Sequence, residues 1–322
     1  MTTALVLGGS GFLGRHVVAA LAADPRITRV LSPPRNSCDV MTAAPGKLQE
    51  VLAGFDPDVV VNCTGRLDGS AEHLAEANTA VTAKLLAVME RSRARLVRIG
   101  SAGEYGVVPV GVPVAEDAPA APVGPYGASH LEATRLVEQA HRTGRVDALT
   151  LRVFNPIGTG LNGSTVLGSA ATQMREVLRG ARHHVRLGPL GAFRDFVDAR
   201  DVASAVVAAT FAPSTRPTYN VAGGRATSVR DAVSLLAQVA GYTGEVREAP
   251  SLPGRSAGVD WIQADIGRAR EDLGWQPQHA LRDSLTCIWR DVAPVDRRPG
   301  MDAPTVPRRP AAATSIPLGG RS

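Results

Sequence analysis

Three clusters in this 322-residue chain combine residue types and spacings that suit chemistry. The first is GGSGFLG at 8–14, set between the aliphatic run Ala4–Leu7 and the apolar, helix-periodic HVVAALAA. Strand, glycine turn and helix in that order make a hollow lined by backbone. Gly8 allows a tight turn, Gly11 lets the chain approach a pyrophosphate closely, and Gly14 lets the helix pack on the strand. Phe12 and Leu13 open the helix, whose free N–H groups and positive dipole end suit phosphates. The spacing is GxxGxxG rather than GxGxxG. The second cluster is Ser101, closing the strand RLVRIGS. The third is Tyr126 with His130, which stand at i and i+4 and so share one helix face.

Rossmann proteins specific for NAD carry an acidic residue after the second strand, where it holds the adenosine ribose. Here that strand ends at Leu31 and continues Ser-Pro-Pro-Arg, with no carboxylate. Ser32 and Arg35 suit a 2′-phosphate instead, so NADP(H) is favoured over NAD(H).

The elements that must position these residues alternate. Strands are expected at Ala4–Leu7, Arg29–Leu31, Asp58–Cys63, Arg95–Ile99 and Val146–Phe154. Uninterrupted helices are expected at 72–92 and 126–142. Such alternation predicts an α/β fold, a Rossmann-type doubly wound parallel sheet with right-handed crossovers. The second half is less regular: helices near 169–179, 199–211, 229–240, 266–273 and 281–290, and a strand at Thr218–Val221. We expect a dinucleotide-binding domain at 1–165, a smaller, mixed C-terminal substrate-binding lobe at 166–292 interleaved with it, and a disordered Pro/Arg/Ala-rich tail at 293–322.

Composition narrows the classes. Aromatics are 4% against 44% hydrophobic residues, so the core must be largely Ala, Val and Leu, as buried parallel strands require. Net charge is +5 without a block of like charges, which argues against nucleic acid as a partner and fits an anionic small molecule. Only Lys47 and Lys84 are lysines. Cys38, Cys63 and Cys287 form no CxxC or metal spacing; reduced thiols and no metal are expected. No run reaches membrane-spanning length, and a cytoplasmic, unexported protein is expected.

As a set, these motifs resemble the extended short-chain dehydrogenase/reductase family, also called the NAD-dependent epimerase/dehydratase family. GGSGFLG resembles its dinucleotide loop, Asp39-Val40 its adenine-contacting pair, and Asn78 its helix-borne structural asparagine. SAGEYG at 101–106 resembles "SSxxxYG", PYGASH at 125–130 "PYxxSK", and RVFNPIG at 152–158 "RxFNxYG". RDFVDARDVASA at 194–205 and DIGRAREDLGWQP at 265–277 complete the resemblance over about residues 4–290. It implies that Tyr126 is the general acid or base on the reacting oxygen and that Ser101 hydrogen-bonds that oxygen. It implies that the residue at 130 binds the nicotinamide ribose, and that Asn155 and Arg194 contact substrate and nucleotide phosphates. Two plainer roles stay open: Asn155 as a loop cap, and Arg194 as partner of a carboxylate such as Asp198. The resemblance also implies a homodimer through the two long helices.

The departure is His130, where the family has lysine. A free tyrosine has a pKa near ~10, and a drop of roughly three units is worth about 4 kcal/mol. A lysine ammonium helps supply that drop, whereas a histidine of pKa ~6.5 is mostly neutral at pH 7. Ketone reduction uses tyrosine in its protonated form, so this site is expected to favour reduction. Dehydratases of the family carry Thr-Asp-Glu where this chain has Ser101-Ala102-Gly103, so water elimination is not expected. The leading expectation is an NAD(P)H-dependent ketoreductase acting on a keto sugar nucleotide, a deoxysugar type of secondary metabolism such as antibiotic biosynthesis, or a related ketone. The alternatives are a nucleotide-sugar epimerase with tightly bound NAD and a cofactor-binding protein with an impaired, non-redox site.

Overall fold

A computed structural model describes residues 2–213, 215–249 and 258–292. The expected tail at 293–322 lies outside the described residues.

The first half runs β1 (Thr2–Leu7), α1 (Phe12–Ala23), β2 (Ile27–Leu31), α2 (Pro45–Phe55) and β3 (Val59–Asn62). It continues through α3 (Ala71–Leu74), a π-helical turn (Ala75–Ala80), α4 (Val81–Met89), β4 (Arg95–Ser101), α5 (Pro125–Arg142) and β5 (Ala148–Val153). After β6 (Pro156–Ile157) come α6 (Val166–Leu178), β7 (Val185–Leu187), β8 (Phe193–Asp195), β9 (Val197–Asp198) and α7 (Ala199–Phe211). The rest is β10 (Thr218–Val221), β11 (Ala226–Ser228), α8 (Val229–Ala240), β12 (Val246–Glu248), α9 (Gly267–Leu273) and α10 (Leu281–Val292).

Six parallel strands form the central sheet in the order β10-β5-β4-β3-β1-β2. The period of two along β1 sorts its side chains between the faces. Ala4 and Val6 join a core with α1 and α7, through Val17, Leu21, Val202 and Val206. Leu5 and Leu7 join the opposite core with α2, α4 and α5, through Leu52, Leu85 and Val137. Helices on both faces make the sheet doubly wound, as the alternation predicts. β10 comes from the second half of the chain, so the sheet is not confined to residues 1–165. A separate core joins α6, α8 and α10, through Met174, Leu236 and Ile288.

The sheet order reverses at β1, with β2 on one side and β3 on the other. The crevice beyond the strand ends at such a switch point is where α/β sheets bind ligands. The glycine loop leaves β1 there, and Ser101 closes β4 at the same edge.

The expected uninterrupted helix at 72–92 is corrected by the structure. It breaks into a π-helical turn at Ala75–Ala80 and ends at Met89. The cause is a polar tether at the turn. Asn78 accepts from the Arg66 N–H at 3.0 Å and donates to Ser129 Oγ at 3.0 Å, while Thr79 Oγ1 donates to the Ser129 carbonyl at 2.8 Å. The extra residue per turn lets both side chains reach α5.

Candidate active site

Ser101, Tyr126 and His130 are brought together by close backbone contact. A Cβ on Gly127 would overlap the Gly103 carbonyl oxygen, so the start of α5 lies directly on the turn that follows β4. A Cβ on Gly103 would lie 3.3 Å from both Ser101 Oγ and the Tyr126 ring. Serine hydroxyl and tyrosine ring therefore flank one small space. Ser101 Oγ accepts from the Gly103 N–H at 3.1 Å, which leaves its own O–H able to donate into that space. Ser101 N–H donates to Glu104 Oε1 at 3.1 Å, closing a capping box that fixes the strand end. Glu104 is fully buried, and its Oε2 accepts from Arg152 Nε at 2.8 Å.

Tyr126 is half-buried and its ring centroid is 4.7 Å from that of His130. His130 is buried, and its Nδ1 lies 3.0 Å from Arg98 Nη2. A guanidinium can only donate, so Nδ1 accepts and the ring is a neutral Nε2–H tautomer. Burial, and then the Arg98 charge, hold the His130 pKa well below its usual value. Arg98 also donates to Thr82 Oγ1 at 3.2 Å and Thr134 Oγ1 at 3.1 Å.

The glycine loop fits a dinucleotide. A Cβ on Gly14 would overlap the Gly8 carbonyl oxygen, so the helix sits tight on the turn. Beside Gly11 only the loop's own Gly8 oxygen lies near, which leaves its outer side open. No side chain caps α1 and no acidic residue occupies its first turn, so the N–H groups at Phe12 and Leu13 are available to a phosphate. Ser32 leans against Gly9, at the edge of the same hollow. Arg35 is exposed in the following turn.

Asp39 and Val40 sit further along this loop. The Asp39 carboxylate accepts from the Met41 N–H at 3.0 Å, and Val40 is buried. Lys84 on α4 donates to the carbonyls of Val40, Met41 and Ala43 at 3.1, 3.0 and 2.8 Å. One of the two lysines thus pins the expected adenine loop, a role the sequence reading missed.

Ser101 is in register with Val153, which places Asn155, two residues beyond, at the same sheet edge. Asn155 Nδ2 donates to the Asp195 carbonyl at 3.3 Å, next to Arg194. Arg194 does not pair with Asp198, whose carboxylate is taken by Arg200 at 2.8 Å and Ser284 Oγ at 2.6 Å. Burial lowers the Arg194 pKa, with Asp260 opposing. Among the described residues no cluster of His, Cys, Asp or Glu could hold a metal, and the three cysteines are free thiols.

Arg98 is the other residue the sequence reading missed. Its signal was present: a charged residue inside the aliphatic strand RLVRIGS, on the same face as Leu96, which packs toward α4 and α5.

The model of the NAD dependent epimerase/dehydratase family matches residues 4–222. The chain is 36% identical over 307 residues to dTDP-6-deoxy-L-talose 4-dehydrogenase (NAD(P)(+)) of Kitasatospora kifunensis, covering 90% of this chain and 96% of the relative. It is 29% identical over 296 residues to GDP-6-deoxy-D-mannose reductase of Pseudomonas aeruginosa, covering 89% and 95%. Among solved structures, the NADPH complex of RMD from Pseudomonas aeruginosa superposes with a TM-score of 0.81 at 27% identity, over 91% of this chain and 97% of that one. The chain belongs to the NAD-dependent epimerase/dehydratase family, the extended short-chain dehydrogenase/reductases.

Proposed function

We propose that the protein is an NAD(P)H-dependent reductase of a nucleotide-linked 4-keto-6-deoxyhexose, working in reverse as the 4-dehydrogenase of the product sugar. The observation that carries this reading is the proton-handling set itself. Tyr126 and Ser101 flank one space, Ala102 and Gly103 occupy the two positions after Ser101, and the Glu104 carboxylate that follows is fully buried and engaged by the Ser101 N–H and Arg152. That set can deliver one proton to one oxygen but offers no carboxylate for eliminating water. The two relatives named for 6-deoxyhexose redox activity agree with it.

When bound in the hollow, the nicotinamide supplies or accepts the hydride. The Tyr126 phenol then donates the proton to the reduced oxygen, and the Ser101 O–H holds that oxygen by a hydrogen bond. Neutral His130 offers Nε2–H to a ribose hydroxyl. Asn155 and Arg194, together at the β5 and β8 ends, are suited to the substrate's phosphates.

NADPH is the proposed preference, since β2 ends without a carboxylate and Ser32 borders the loop. We further propose a cytoplasmic homodimer joined through 71–89 and α5. No helix among the described residues is long and apolar enough to cross a membrane.

Purified protein mixed with dTDP- or GDP-4-keto-6-deoxyhexose and NADPH should consume the cofactor and yield a 6-deoxyhexose with a new hydroxyl at carbon 4, read by NMR. An absence of turnover with both nucleotides and both cofactors would falsify the reading. Sedimentation measures the dimer independently.

A further inference from the structure

We propose that Arg98 is the fixed cation of this active site, set behind His130 and acting on Tyr126 as a positioning residue. The inference rests on the reading of Tyr126 as the proton donor. Its basis is a stack of groups that begins in the sheet and ends at the crevice. Arg98 points from β4 toward α4 and α5, and only 2% of it is exposed. Its Nε and Nη1 are held by the hydroxyls of Thr82 and Thr134 at 3.2 and 3.1 Å. Its Nη2 reaches His130 Nδ1 at 3.0 Å, and the His130 ring lies 4.7 Å from the Tyr126 ring. Every hydrogen-bond partner of this guanidinium is neutral. Among the described residues no carboxylate lies within 4.0 Å of it.

An arginine buried among neutral groups is costly, and proteins usually avoid the cost by pairing it. The charge facing Tyr126 has no carboxylate in direct contact, and Glu104, whose Oε1 shares the Gly100 surface with Arg98 Nη1, compensates it in part. Burial lowers the Arg98 pKa to about 10, which Glu104 and Tyr126 oppose and Arg152 reinforces. At neutral pH it remains a cation. A family lysine combines two tasks, a hydrogen bond to the ribose and a positive charge near the phenol. Here the tasks are divided. His130 keeps the donor, with its tautomer fixed by Arg98, and Arg98 keeps the charge.

Charged and titratable groups face Arg98 from three elements. Tyr126 and His130 face Arg98 from α5. Glu104 faces it from the turn after β4, and Arg152 from β5. The Glu104 carboxylate is ion-paired to Arg152 and hydrogen-bonded by the Ser101 N–H, so it compensates Arg98 in part and without direct contact.

The test reads the tyrosine directly and needs no substrate. Phenolate absorbance is titrated in the full-length protein and in Tyr126→Phe, and the difference gives the Tyr126 midpoint. Arg98→Met should raise that midpoint by about one pH unit. Arg98→Lys, which retains the charge, should restore most of the shift. An unchanged midpoint in a folded Arg98→Met protein overturns the proposal. If Arg98→Met does not fold, the unmodified protein decides through its His130 ring nitrogens, followed by ¹⁵N NMR. A neutral Nε2–H ring from about pH 5 to 8 supports the division of tasks, because an ordinary histidine titrates inside that window. A His130 that protonates near its usual midpoint would itself be the cation, and the proposal fails. Either result stands apart from the question of which ketone is reduced.

Discussion

Arg98 and Arg152 lie on neighbouring strands, point to the same face of the sheet and are both buried, yet they live in opposite surroundings. Arg152 donates to the Glu104 carboxylate at 2.8 Å, the Tyr105 hydroxyl at 3.0 Å and the Glu116 carbonyl at 2.9 Å. The carboxylate outweighs burial and raises its pKa. Arg98 meets only hydroxyls and an imidazole, and burial lowers its pKa from 12.5 to about 10. A drop of that size strains the charged form by roughly 3 kcal/mol. One arginine completes an ion pair that braces the end of β4 beneath Ser101. The other keeps a charge that no carboxylate contacts directly, behind His130 and Tyr126. Burial alone therefore does not tell a structural arginine from a functional one; the charge of its partners does.

The largest expected effect lies on the functional side of this contrast. Tyr126→Phe removes the transferable proton but fills the same space, so turnover should fall by about 10²–10⁴-fold while the melting temperature stays put. A matched pair of NADPH-consumption and calorimetry measurements checks this. If turnover survives, the proton comes from elsewhere and Arg98 loses its target. Next comes the structural side. Arg152→Met strands the Glu104 charge in the interior, which should cost about 3–5 kcal/mol of stability. Denaturant unfolding reads it. A loss below about 1 kcal/mol would mean that Glu104 is protonated or rehydrated once its partner is gone, and that the pair does not brace the site.

The same contrast explains what the sequence disclosed. The glycine loop was legible because backbone approach dictates the residue type: nothing but glycine fits at Gly14, where a Cβ would meet the Gly8 oxygen. Tyr126 and His130 were legible because i and i+4 define a helix face whatever packs around it. The state of His130 was not, since it depends on Arg98, 32 positions away in sequence. Alternation within RLVRIGS gives the face Arg98 points to, but not that Thr82 and Thr134 meet it there. α2 went unread although Pro45 at its start and Leu48, Leu52 and Phe55 at helical spacing marked it. The strands of β6 to β9 are two or three residues long, too short for a period to show. The π turn follows from the reach of Asn78 and Thr79 to α5, a tertiary demand with no local pattern.

Asp195 is a buried acid that pairs with no cation among the described residues. It is fully buried and accepts from the Ala264 N–H at 3.0 Å, and burial lifts its pKa from 3.8 to about 7. The folded state therefore holds a proton that the unfolded chain releases near pH 4. Stability is full below the unfolded value, falls as pH rises toward about 7, and is flat above it. The total loss should be a few kcal/mol, at up to about 1.4 kcal/mol per pH unit. Asp195→Asn cannot ionise, so its melting temperature should lack this slope between pH 4 and 7. Parallel slopes in the two proteins would show that the backbone donors fully stabilise the anion.

The smallest expected effect is the most discriminating. Arg98→Met deletes three hydrogen bonds but also a buried charge under strain. Thr82 Oγ1 already donates to the Asn78 carbonyl at 2.8 Å, so its hydroxyl keeps a partner. Thr134 Oγ1 and His130 Nδ1 each lose their Arg98 donor, at a cost of about 1–3 kcal/mol apiece. The relieved net strain on the buried charge, roughly 3 kcal/mol, has the opposite sign and offsets most of that loss. Unfolding of Arg98→Met should therefore lie within about 3 kcal/mol of the parent, below the loss in Arg152→Met. Two arginines of similar burial would then differ in stability because one is ion-paired to Glu104 and the other is not. Equal and large losses would instead mean that Arg98 is compensated by Glu104 as well, and the distinction between the two clusters would collapse.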